Sequence, residues 1–179
     1  HRTKFIAFRY GNVLGSSGSV IPIFIDQIKQ KQKVTITDPE MTRFSITMDE
    51  ALDFILNATT YGKGSEIFVP KMRSYNIMDV VNSLQNLIGN YGQEVVGIRP
   101  GEKLHEVLIN EDEIRHTWEY NGMYVVTNPH YTKFHGKEIQ ENYKGITKLT
   151  NLDNYSSAFS EKISDKMLEQ MIKDCSLLD

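Results

Sequence analysis

One cysteine, one tryptophan and five prolines in 179 residues leave this chain few covalent or conformational staples. The lone Cys175 excludes an internal disulfide framework and a cysteine-based metal cluster, and fits a reducing cytoplasm. The longest apolar run, Val20-Ile21-Pro22-Ile23-Phe24-Ile25, is far short of the ~20 residues that span a bilayer, so no membrane segment is expected. Residues 1–9 read as the lead of a strand rather than as a signal peptide. An excess of one charge is missing too. Against 23 Asp and Glu stand 20 Lys and Arg, a net −3, with no basic stripe along any element. That excludes a nucleic-acid footprint, and any phosphate binding must come from a few placed groups.

What is present is an ordinary globular composition, 40% hydrophobic and 24% charged, long enough for one domain with its own core. Residues 4–10 (KFIAFRY) predict a buried strand. Domains seldom open on a core strand with no lead-in, and no methionine precedes this one, so a truncated chain is expected. A Gly- and Ser-rich loop at 11–19 leads into a helix over 20–31, apolar at 21, 24, 25 and 28, with Pro22 in its first turn. Strands follow at 33–37 and 43–47 around an Asp38-Pro39 turn. From Met48 a helix with an acidic first turn places Ala51, Leu52, Ile55 and Ala58 on its apolar face. After a strand at 66–69, the clearest periodicity is Ile77, Val80, Val81, Leu84, Leu87 and Ile88, a helix over 76–88 between an Asn76 cap and a Gly89 stop. A strand at 93–98, a short helix at 103–108, a strand at 122–126 and a last helix at 161–174 complete the reading. That last helix puts Ile163, Met167, Met171 and Cys175 on one face. Alternating strands and helices predict an α/β fold.

Gly11, Gly15 and Gly18 lie between a strand and a helix, spaced G-x3-G-x2-G. A dinucleotide turn wants G-x-G-x-x-G, so a first Rossmann turn, a plain tight turn and a ligand-facing loop of another kind all stand. His105-Glu106, with His116 further on, lacks the zincin spacing, so no metal is expected. Tyr155-Ser156-Ser157 and Cys175 read as structural.

Four motifs occur in order: RYGNVLGSSGSVIP at 9–22, DPEMTRFSITMDEAL at 38–52, EIFVPKM at 66–72 and GIRPGEKLHEVLI at 97–109. Together they resemble the C-terminal half of the UDP-N-acetylglucosamine 4,6-dehydratases, of the extended short-chain dehydrogenase/reductase superfamily. Beyond residue 111 the resemblance is loose. It implies the C-terminal part of a Rossmann-like extended fold with the smaller substrate-binding α/β region. Residues 1–110 would hold the end of the dinucleotide-binding sheet plus the substrate-binding region, and 111–179 a C-terminal extension of loops and a terminal helix.

The resemblance also implies roles. Asn12 of RYGN would contact the substrate, where two donors and an acceptor suit a diphosphate or a sugar amide; beside Gly11 it could equally be an Asx-turn residue. Val13, Leu14, Gly15, Ser16 and Ser17 align with the loop at the nicotinamide end of NADP (or NAD), and Ser17 stands where many relatives carry Arg. Arg43 matches a substrate-binding arginine, a guanidinium fork for a pyrophosphate; the plainer reading is a surface charge paired with Asp38 or Glu40. Arg99 and Glu102 match two more substrate positions, a second phosphate clamp and an acceptor for ribose or sugar hydroxyls, or else an intraloop ion pair.

The superfamily's chemistry rests on Tyr-x-x-x-Lys, and none of the nine tyrosines here has Lys four residues on. The expectation is therefore the binding half of a cytoplasmic lyase that is a homo-oligomer at full length, this segment alone being inactive. A UDP-N-acetylhexosamine 4- or 5-epimerase on the same scaffold, or a non-catalytic nucleotide-sugar-binding domain, are the other readings.

Overall fold

The computed structural model describes residues 3–16, 19–175 and 178. In chain order the elements are β1 (Ala7–Phe8), β2 (Asn12–Val13), α1 (Val20–Lys29), β3 (Val34–Ile36), β4 (Thr42–Ile46), α2 (Met48–Tyr61), β5 (Ile67–Pro70) and β6 (Arg73–Asn76). They continue as α3 (Ile77–Ile88), β7 (Gln93–Val95), β8 (Val107–Ile109), α4 (Glu111–Ile114), β9 (Thr117–Tyr120) and β10 (Met123–Val126). The last are α5 (Tyr131–His135), α6 (Ile139–Asn142), β11 (Thr147–Lys148), β12 (Tyr155–Ser156) and α7 (Asp165–Asp174). The fold is α/β, and among the described residues no helix is long and apolar enough to cross a membrane.

The chain forms two compact units, and neither is a continuous stretch. One comprises His1–Tyr10, Asp49–Lys71 and Val107–Ser156; the other Gly11–Met48, Met72–Glu106 and Ser157–Asp179.

The first unit carries a five-stranded sheet in the order β1-β5-β10-β9-β11, parallel only between β1 and β5. Phe54, Ala58, Phe68, Val125 and Tyr143 lie in its core. The α2 face differs from expectation: Ala51, Phe54 and Ala58 are buried while Leu52 is half exposed. The ring of Phe54 sets that rotation by packing edge-on against Phe8 and Tyr10. The strand expected over 4–10 shrinks to Ala7–Phe8 at a sheet edge, with Phe5 largely exposed, because among the described residues it pairs with β5 alone. Between β9 and β10 the Asn121-Gly122 pair has φ of 44° and 76°, the left-handed geometry of a two-residue hairpin.

Arg9 anchors this unit. Its two guanidinium nitrogens donate to both carboxylate oxygens of Glu113 at 2.8 and 2.9 Å, and Nη1 also donates to the Leu108 carbonyl. Glu113 at the same time closes a capping box with Asn110 at the start of α4. The Arg9 hydrogen bonds hold the Glu113 carboxyl below its usual range. An acid with a lowered folded pKa stabilises above its unfolded pKa, and that stability is lost as pH falls through the folded value. We predict that Glu113→Gln lowers stability near neutral pH by about 1 kcal/mol, a figure held down by the partial exposure of both side chains. Thermal midpoints of variant and wild type should converge in acid; a gap that persists unchanged at low pH would contradict the assignment.

In the second unit α1 packs on α3 and α3 on α7, burying Ile21, Phe24, Ile28, Val80, Leu84, Leu168 and Ile172. Beside them lie a three-stranded sheet, β2-β4-β6, and the parallel pair β3-β7. Asn76 caps α3 as expected, in a reciprocal box with Asp79. The last helix begins at Asp165 rather than 161, because Glu161–Ile163 run beside β6, where the Ser74 N–H donates to the Glu161 carbonyl and the Ile163 N–H to the Ser74 carbonyl. Its buried face is Leu168, Met171 and Ile172.

The helix expected over 103–108 does not form. Thr42 donates its backbone N–H to the Leu104 carbonyl and Ser157 donates to that of Glu106, so the segment up to 106 is held by partners far along the chain. Val107–Ile109 then pairs with Tyr155–Ser156 as strand. An apolar run this short fits either period, and strand pairing decides it.

Candidate functional site

The site grows from the sheet β2-β4-β6. Its register sets Asn12 opposite Ser45, Ser45 opposite Arg73, and Arg43 opposite Tyr75, so these five residues share one face. Gly11, just ahead of β2, lies hard against β4: a Cβ there would collide with that of Phe44 and stand 3.1 Å from the Phe44 carbonyl oxygen. The chain turns after β2 through Gly15, whose φ of 74° favours glycine, closed by a Ser16 N–H to Val13 carbonyl bond.

Over this face opens a cavity of about 380 Å³. Asn12, Val13, Leu14, Gly15 and Ser16 form one wall, and the start of α1 a second, with Ser19, Val20, Ile21 and Phe24. Thr35 and Thr37, with Met41, Arg43, Tyr75, Ile77 and Glu102, complete the lining. Two strands and one loop, β2, β4 and the segment after β7, thus supply Asn12, Arg43 and Glu102 to one cleft.

Arg43 does not pair with Asp38 or Glu40. Its Nη1 donates to the carbonyls of Thr42 at 2.7 Å and Leu104 at 3.1 Å, which fixes the fork while Nε and Nη2 are not used in these bonds. Beside it, the Glu106 carboxylate accepts the Phe44 N–H at 2.8 Å; burial raises the Glu106 pKa, opposed by that hydrogen bond and by Arg43. Thr42 Oγ1 joins His105 Nδ1 and Ser157 Oγ, each at 2.8 Å, which ties the Leu104–Glu106 segment to β4.

Arg99 is not part of the cavity lining. Its side chain is exposed, and its backbone N–H donates to the Glu102 carboxylate at 3.1 Å, closing the Arg99–Glu102 turn. Ser17 and Gly18 lie outside the described residues. Ser19 Oγ, at the N-cap of α1, is buried without a hydrogen-bond partner.

Tyr75 is among the lining residues that sequence reasoning missed, with Ser19, Thr35, Thr37 and Met41. It is 2% exposed, and burial first, then the Glu106 charge, pushes its pKa up to about 12, opposed by the Asn12 side chain and by Arg43. The available signal was alternation: Arg73 and Tyr75 stand two apart just before a strong helix, but a four-residue strand is too short to declare a period.

The chain covers part of the proteins it is similar to. It is 41% identical over 127 residues to a UDP-N-acetylglucosamine 4,6-dehydratase (inverting) of Campylobacter jejuni, covering 70% of this chain and 37% of that protein. It is 32% identical over 172 residues to a UDP-glucose 4-epimerase of Rickettsia bellii, covering 96% and 50%. Among solved structures, Pen from Bacillus thuringiensis superposes with a TM-score of 0.82 at 33% identity, over 98% of this chain and 51% of that one. Likeness therefore continues past residue 111, where the motifs alone give little. The chain spans about half the length of these relatives, or less. Residues 1–128 match a family described as polysaccharide biosynthesis protein, and the chain belongs to that family.

Proposed function

We propose that this chain is the sugar-nucleotide-binding portion of an NAD(P)-dependent enzyme that dehydrates UDP-N-acetylglucosamine for surface polysaccharide or glycan synthesis. The carrying observation is that Asn12 on β2, Arg43 on β4 and Glu102 of the loop after β7 line one cavity together with residues 13–16. Arg43, with its fork braced by two carbonyls, donates to diphosphate oxygens. The start of α1 adds the positive end of a helix dipole, and Ser19 Oγ an unused hydroxyl. Glu102 accepts from sugar or ribose hydroxyls, and Asn12 orients the sugar-phosphate junction. Arg99 would reach the diphosphate from outside the present lining. Binding energy collected on the nucleotide positions a hexose whose reacting carbons lie elsewhere.

Val13, Leu14, Gly15 and Ser16 would hold the nicotinamide end of the cofactor, on the wall that turns through Gly15. What such a cofactor supplies there is a reversible store for a hydride. No Tyr-x-x-x-Lys pair occurs in these 179 residues, so this segment holds and orients but does not abstract the proton.

A 4-epimerase is the second reading, favoured by the longer reach of the epimerase match, 96% of the chain against 70% for the dehydratase. Incubating the full-length gene product with UDP-N-acetylglucosamine and reading products by mass spectrometry separates them. Loss of one water is the expected result, with residues 1–179 alone showing no turnover. An unchanged mass with an inverted C4 would replace the dehydratase by the epimerase, and turnover by the segment alone would refute its assignment as a binding portion.

A further inference from the structure

We propose that Ser157 is a positioning residue for Arg43, its hydroxyl holding the Thr42 carbonyl on which the guanidinium rests. The inference depends on the reading of the cavity as a nucleotide-sugar site with Arg43 as a diphosphate donor. Arg43 Nη1 bridges two carbonyls, that of Thr42 on β4 and that of Leu104 in the loop after β7. The guanidinium is therefore only as fixed as the spacing between them. One tie sets that spacing directly, the Thr42 N–H to Leu104 carbonyl bond at 3.0 Å. Ser157, more than a hundred residues further along the chain, supplies the rest.

The Ser157 side chain is fully buried. Its backbone N–H donates to the Glu106 carbonyl and its Oγ accepts the Glu106 N–H, both at 2.9 Å, which grips the segment that carries Leu104. The same Oγ stands 2.8 Å from Thr42 Oγ1 and donates to the Thr42 carbonyl at 3.2 Å. A serine hydroxyl has one proton and two lone pairs. With the proton on the Thr42 carbonyl and one lone pair on the Glu106 N–H, the other lone pair must take the Thr42 hydroxyl proton. Thr42 Oγ1 then has no proton left for His105 Nδ1 at 2.8 Å, so the imidazole carries a proton there and donates it. One assignment thus satisfies all four contacts, and it spends the Ser157 proton on the carbonyl that Arg43 also uses. Thr42 is itself 6% exposed, so water has little access to replace a lost partner.

The test is calorimetric titration of the full-length gene product with UDP, comparing wild type, Ser157→Ala, Arg43→Ala and the double variant, with thermal midpoints recorded alongside. Ser157→Ala should weaken UDP binding roughly 3- to 10-fold, the usual worth of one oriented hydrogen bond. The double variant should bind no more weakly than Arg43→Ala alone, since without the guanidinium nothing is left to position. Should Ser157→Ala not fold, Ser157→Cys, close in size and a weak donor, carries the same comparisons. A nitrogen-15 spectrum of the histidines at about pH 8, where an imidazole is neutral, reads the proton assignment. Ser157→Ala frees the Thr42 hydroxyl to donate to His105, so that ring should move its proton from Nδ1 to Nε2. An unmoved ring would place the Ser157 proton on Thr42 Oγ1 instead of the carbonyl and overturn the positioning role. Wild-type UDP affinity in Ser157→Ala would overturn it while leaving the cavity assignment standing. So would penalties that multiply in the double variant, by showing that Ser157 acts on the fold and not through Arg43. A wild type that does not bind UDP would remove the cavity assignment itself, and this inference with it.

Discussion

Arg43→Ala in the full-length gene product should weaken UDP binding by about one to two orders of magnitude, the cost of removing a charge-assisted donor from a desolvated site. The expectation is large because the guanidinium is already in place. Nη1 is spent on the Thr42 and Leu104 carbonyls, so little side-chain entropy remains to be lost on binding, and Glu106 supplies a neighbouring negative charge that lies off the cavity wall. Arg43→Lys should recover only part of the loss, since an ammonium cannot bond two carbonyls and a diphosphate in one plane. Arg99→Ala should cost less, under about tenfold, because that side chain starts in solvent and must be ordered when the ligand arrives. Equal penalties at the two arginines would mean the Arg99 turn already closes over the ligand; no penalty at Arg43 would reduce it to a surface charge.

The second large effect is predicted at Gly11→Ala, which should destabilise the protein by about 3 kcal/mol or more, the upper range for forcing volume into a packed interior. The added methyl meets the Cβ of Phe44 and is hemmed in by the Phe44 backbone, none of which can rotate aside. Phe44 itself is fully buried and its N–H is bound to Glu106, so β4 cannot retreat without breaking that bond. For a chain of this size the expected fall in thermal midpoint is roughly 6–12 °C. UDP binding should fall with it, because the next residue is Asn12. A midpoint within ~2 °C of wild type would show that β2 and β4 are less tightly apposed than described.

These two positions also mark what was legible beforehand. Helices α1 and α3 announced themselves, because each carries a full apolar stripe and α3 carries its own cap. The motif RYGN was readable as a unit, yet its residues serve different ends: Arg9 braces Glu113, Gly11 lets two strands meet and Asn12 faces a cavity. No linear pattern separates those tasks. Strand pairs such as β8 with β12 join residues some 46 apart (Ile109 with Tyr155), so nothing local foretells them, and the helix expected over 103–108 was the casualty. The Asn121-Gly122 hairpin is the opposite case, a dipeptide with a strong turn preference that could have placed β9 ahead of β10. Asn12, Arg43 and Glu102 were named from motif likeness; that Asn12, Arg43 and Tyr75 share a face depended on sheet register, and that Glu102 enters the cleft while Arg99 stands off it depended on the turn that joins them.

The interleaving of chain segments has a practical consequence for anyone trimming this protein to a minimal ligand trap. Stopping translation near residue 110 would keep every wall of the cavity but discard Ser157, which pins Thr42, and α7, which covers α3. The pieces would be present and the scaffold beneath them gone. Deleting 107–156 alone would join Glu106 to Ser157, already hydrogen-bonded neighbours, but it would strand β1, α2 and β5 without β10 and the rest of their core, so 1–10 and 49–71 would have to go with it. The same wiring gives the second unit a high contact order, so on a ribosome its core cannot close before α7 has emerged to cover α3.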